Sequence, residues 1–181
     1  MRPRLFCALF LASARVAPSA AEAQAPFQLS LVPPVQIVPE TEAVSGIRLG
    51  IYAKNTDMTG ADLAVVTHTT GDGVALQLAF VNIVEGDMEG AQVGWFAGSA
   101  IANIVEGKVT GFQAGFYNGS GDTEAFQLGG LNNASGRAAG LQFGLVNVAN
   151  DMNGLQLGLV NIIRSKERFP VLPIVNWKFD G

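Results

Sequence analysis

Between Gly46 and Arg168, apolar residues fall on alternate positions in short bursts, and the bursts recur. The clearest copies are "GLQFGLVNVANDMN" from Gly140 and "GLQLGLVNIIRSKE" from Gly154. Earlier copies start at Gly46, Gly60, Ala75, Gly90, Gly111 and Ala125, so the starts are 14, 15, 15, 21, 14, 15 and 14 residues apart. Positions 2, 4 and 6 of the unit are almost always apolar and alternate with 1, 3 and 5. Period two predicts a strand with one buried face. On that reading Leu155, Leu157 and Leu159 point inward, and Gln156 and Gly158 point outward. A helix is disfavoured, because glycine recurs every four residues within the apolar stretch at about 1 kcal/mol each relative to Ala. The segments "EGDME", "GSGDTE" and "ANDMN" carry turn chemistry.

The other positions are as regular. Position 3 is Gln77, Gln92, Gln113, Gln127, Gln142 or Gln156 in six copies, with Arg48 and Asp62 in the first two. Position 5 is always Gly or Ala. Position 8 is Asn82, Asn118, Asn132, Asn147 or Asn161, and Ala97 stands there in the fourth copy. Position 13 of the 14-residue copies, or 14 of a 15-residue copy, is often apolar, as in Met58, Met88 and Met152. Self-similarity at a short fixed period predicts a repeat architecture: an all-β solenoid of about eight coils of 14–15 residues. Equivalent residues then stack ~4.8 Å apart, which makes a rod roughly 35–40 Å long. Gln stacks on Gln and Asn on Asn, with amides hydrogen-bonded along the axis. Small residues at position 5 allow close approach of backbones.

An antiparallel outer-membrane β-barrel is the alternative, since strands of about 9–11 residues plus tight turns give a similar period. The near-uniform connections, the missing aromatic girdles and the apolar position 13 weigh against it. The repeat array covers residues 46–168. The Pro-interrupted segments 26–45 and 169–181 read as end caps, because open sheet edges need covering.

Residues 1–25 read as a cleavable signal peptide. Arg2 and Arg4 precede a short apolar run, Leu5–Ala12, and Ala23-Gln24-Ala25 places cleavage after Ala25, with Ala21-Glu22-Ala23 as the second choice. The apolar run is far too short to span a bilayer. Export to the cell surface, the outer membrane or the exterior follows. The formal net charge is −4, and loss of Arg2, Arg4 and Arg15 against Glu22 makes the mature chain about two charges more negative. An acidic chain without a basic patch argues against nucleic acid as a partner. The single cysteine, Cys7, lies in the signal segment, which leaves the mature chain without disulfide or thiolate chemistry.

"GLQLGLVN" and "GLQFGLVN", the opening "FQLSLVPPVQIV" and the close "PVLPIVNW" resemble an uncharacterised family of bacterial surface repeat-containing proteins. The resemblance runs from about Phe27 to Trp177. It implies an exported, surface-associated chain and brings no functional residues with it.

Few residues are candidates for chemistry. His68 is the only histidine and could pair with Asp72 in "VVTHTTGDG", although a single exposed turn histidine is the simpler expectation. Asp72, Glu85, Asp87, Glu89, Asp122 and Glu124 cluster in turns, where paired acids could serve glycoside hydrolysis or bind Ca²⁺. Their spacing matches no calcium loop, and they read as solubilising turn residues. The segment 98–106 ("GSAIANIVE") is the one insertion in the array and the first candidate for binding. The expectation is therefore a non-enzymatic surface structural or interaction protein without cofactor, whose extracellular or envelope partner is unknown. A secreted carbohydrate-active protein is the remaining alternative.

Overall fold

The computed structural model describes residues 24–94 and 101–179. The expected signal peptide lies almost wholly outside these residues, as do Ala97 and the start of the 98–106 insertion. The strands are β1 Ala25–Val32, β2 Val35–Gln36, β3 Val44–Asn55, β4 Met58–Thr69, β5 Gly73–Leu78, β6 Val81–Val84, β7 Met88–Val93, β8 Ala102–Val105, β9 Val109–Ser120, β10 Thr123–Ile163 and β11 Val171–Lys178. They form a β-solenoid of about seven turns. Consecutive copies pair in parallel and in register: Gly46 lies beside Gly60, Gly60 beside Ala75, Ala75 beside Gly90, Gly90 beside Gly111 and Gly111 beside Ala125. A barrel of antiparallel strands is thereby excluded.

The face of the strands is the reverse of the sequence expectation. Gln77, Gln92, Gln113, Gln127, Gln142 and Gln156 are buried, and so is the Asn column. Leu159 is 67% exposed and Phe143 is 50% exposed, against 1% for Gln142. Positions 2, 4 and 6 thus line the outside, and positions 3, 8, 10 and 13 fill the inside. Met58, Met88 and Met152, each two residues before the start of the next copy, are fully packed, together with Val84, Val105, Ala134, Ala149 and Ile163. The reason is parity. Met152, Gly154 and Gln156 alternate along one strand, so the residue that packs beside the turn carries the glutamine inward with it.

Burial of these amides is affordable only because each is paired. Gln92 Nε2 donates to Gln77 Oε1 at 2.8 Å, and the same bond repeats up to Gln156 Nε2 on Gln142 Oε1 at 2.7 Å. The asparagine column runs the other way: Asn82 Nδ2 donates forward to Asn103 Oδ1 at 2.8 Å, and so on to Asn147 Nδ2 on Asn161 Oδ1. Two amide columns of opposite polarity lie side by side, so their dipoles oppose. Asparagine does a second job at the position 5 corner. Asn132 Nδ2 also reaches Phe143 O at 3.0 Å, and Asn147 Nδ2 reaches Leu157 O at 2.9 Å, which satisfies carbonyls the corner turns inward.

That job requires the adjacent glycine. A Cβ on Gly144 would lie 2.4 Å from Gly129 O and 2.7 Å from Asn132 Nδ2. Gly144→Ala is therefore expected to lower stability by about 1–3 kcal/mol in urea unfolding; an unchanged midpoint would contradict the corner geometry.

The insertion does not displace the ladder. Asn103, not Ala97, occupies the asparagine position of the long copy, between Asn82 and Asn118. The extra residues lie between Gly94 and Ala102, so Ala102–Val105 is an ordinary rung and Glu106 is an ordinary turn residue. The N-terminal segment is more than a cap. β1 adds a parallel rung on β3, with Gln28 beside Arg48, before β2 folds back antiparallel. Ala25, on the near side of the expected cleavage, begins that rung, and cleavage after Ala23 would leave β1 entire. At the other end β11 closes the solenoid antiparallel to β10.

Candidate functional site

The rod has two dissimilar edges. The turn edge carries the charges. Asp57 Oδ1 accepts the Asp72 amide at 2.8 Å, Asp72 Oδ1 accepts that of Asp87 at 2.8 Å, Asp87 Oδ1 that of Lys108 at 2.8 Å, and Asp122 Oδ1 that of Arg137 at 2.7 Å. The aspartates are thus turn staples, each holding the next rung. Glu124 pairs with Lys108 at 2.8 Å, and Glu89 is exposed on the strand that follows its turn. Among the described residues no group of three or more His, Cys, Asp or Glu side chains is placed to hold a metal ion.

Asp151 continues this edge and locks the C-terminal cap. Hydrogen bonds from Lys178 and Ser165 hold its carboxyl at about 2, below the ordinary 3.8. A depressed folded value contributes stability above about pH 4 that is lost as the pH falls toward 2. Asp151→Asn should therefore flatten the acid limb of the thermal-stability profile; an acid limb identical to that of the unaltered chain would contradict the lock.

His68 is not an exposed turn residue and does not meet Asp72. It lies in β4, half-buried, with Nδ1 3.0 Å from the Tyr52 hydroxyl and Nε2 2.7 Å from Glu85 Oε1. Tyr52, His68 and Glu85 form a diagonal across three rungs. Both ring nitrogens are within hydrogen-bond distance of other side chains of the protein.

Arg48 and Asp62 stand where the later copies carry glutamine. They form a buried bidentate ion pair at the start of the column, with Nε to Oδ1 at 3.0 Å and Nη2 to Oδ2 at 2.5 Å. Asp62 Oδ2 also accepts the first ladder donor, Gln77 Nε2, at 3.2 Å. Burial pushes the Asp62 carboxyl up, and the Arg48 hydrogen bonds and charge oppose that shift. The asparagine column starts with a hydroxyl instead: Thr67 Oγ1 donates to Asn82 Oδ1 at 2.7 Å. At the far end Gln156 Oε1 is buried with no hydrogen-bond partner among the described residues.

The opposite edge is apolar. Its floor is the position 5 column, and its walls are positions 4 and 6. Toward the C-terminus Gly115, Gly129, Gly144 and Gly158 floor a groove of about 730 Å³ between Leu128, Phe143 and Leu157 on one side and Phe116, Leu145 and Leu159 on the other. Ile174 of the cap closes it. Toward the N-terminus the same edge forms a groove of about 370 Å³ along Leu49, Gly50, Leu63, Ala64, Val65, Leu78 and Phe80. No residue at positions 2, 4, 5 or 6 of any copy is charged. Comparison with protein-family models, with curated proteins and with solved structures found no match.

Proposed function

We propose that the chain is an exported, non-enzymatic rod of the bacterial cell surface that works by presenting its apolar edge to an envelope or extracellular partner. The observation that carries this reading is the inversion of the repeat. Polar residues that recur are consumed inside the ladders, while the recurring Leu, Phe and Val residues are displayed. Contiguous exposed apolar surface of this extent is a feature of interaction sites. The turn-edge aspartates and His68 are already engaged with the rod's own backbone and side chains, which favours a structural over a hydrolytic role. The likeness of the repeats to surface repeat proteins and the N-terminal residues 1–25 support export.

Fractionation of cells that express the full chain tests the reading. The processed chain should be recovered with the envelope or outside the cell, where added protease reaches it. Recovery of unprocessed chain in the cytoplasm would overturn it.

A further inference from the structure

The partner of the apolar edge can be narrowed by its shape. The uncharged surface is not one plane. It covers the outer side of positions 2 and 4, wraps the glycine corner, and continues on the other side at Val66, Val81, Leu131 and Val146. A liquid apolar phase can surround all three sides of such an edge at once.

Two further features fit immersion in lipid. Backbone amides at this corner are paired between rungs, as in Phe80 N to Val65 O at 3.0 Å, Ala79 N to Val93 O at 3.3 Å and Gly94 N to Ala114 O at 3.0 Å. Paired backbone is the condition for entering hydrocarbon. From the corner to position 2 the strand runs three residues, or about 10 Å. Elements that lie in a membrane interface sink by about 5–10 Å, so positions 2 to 7 would be covered. The charged turn edge, with Asp57, Asp72, Asp87 and Asp122, would face water on the far side.

We infer that the rod lies edge-on in the surface of a lipid layer, with its glycine-floored apolar edge in the outer acyl region and its acidic turns in water. This deepens the interaction reading above and rests on it. Because the displayed edge is uncharged and the chain is acidic, attachment draws on apolar burial alone. It needs no anionic lipid and is insensitive to salt.

Flotation of the purified, exported chain with phosphatidylcholine vesicles tests the inference. Binding is expected, unchanged between low and high salt and no tighter when anionic lipid is added. The double variant Leu145→Lys, Leu159→Lys changes exposed positions only; it should keep the β-sheet circular dichroism and lose about tenfold or more in vesicle partitioning. A fluorophore on Leu145→Cys should shift to the blue with vesicles, and one on Asp72→Cys should not. Failure to float, dependence on anionic lipid, or a lipid-free dimer that shields Leu145 and does not bind vesicles would overturn the inference. Recovery of the chain outside the cytoplasm in those cases would leave the surface-rod reading standing.

Discussion

Asp62→Asn should cost about 3–5 kcal/mol of stability, because it leaves the Arg48 guanidinium buried without its counter-charge. The double variant Arg48→Gln, Asp62→Gln should instead be neutral or more stable by about 1–4 kcal/mol. Both side chains are fully buried, and their pairing must offset the desolvation of two ions. The raised Asp62 value has the same sign. An acid that holds its proton more tightly in the folded chain than in the unfolded one costs stability once ionised at neutral pH. Two glutamines would carry the ladder through these rungs with neutral amides. Urea unfolding of the single and double variants at pH 7 decides the matter, and a double variant weaker than the single one would refute the account. The ion pair has a local role all the same: its carboxylate receives the first donor of the glutamine column, which otherwise would have no acceptor.

Gln127→Met should be comparably damaging, at about 2–6 kcal/mol. Methionine fills a similar volume, so the effect isolates the hydrogen bonds. Gln113 Oε1 would lose the Gln127 donor at 2.7 Å, and Gln142 Nε2 would lose the Gln127 acceptor at 2.7 Å. Each buried group left unpaired costs about 1–3 kcal/mol. Leu145→Gln, on the outer face, should change stability by less than about 0.5 kcal/mol. Equal losses for the two variants in the same unfolding assay would contradict the assignment of faces.

The repeat, its period and the stacking of like on like were legible in the sequence, because register between copies is written in the spacing of Gln, Gly and Asn. The facing is also written in the sequence, though less plainly. Met152 stands four residues before Gln156 on one strand, so the two must share a face. The general preference of leucine for the interior conflicts with that geometry. It fails here because the interior is thin and amide ladders fill it without orphaned donors. Asn103 was missed because the extra residues fall inside the unit, ahead of the asparagine rather than after it. The Arg48–Asp62 pair was visible as opposite charges one period apart at one position. The Tyr52–His68–Glu85 diagonal has no such signature, since its members occupy three different positions of the repeat. The apolar edge followed from the facing and could not be seen without it.

Thiol accessibility tests the inverted repeat most directly. In a chain with Cys7 replaced by Ser, Phe143→Cys and Gln142→Cys place one thiol on adjacent residues of the same rung. The account predicts rapid labelling of Phe143→Cys by a water-soluble thiol reagent under native conditions, and labelling of Gln142→Cys only on unfolding. The opposite order would show the glutamines outside and the leucines within, and would contradict it.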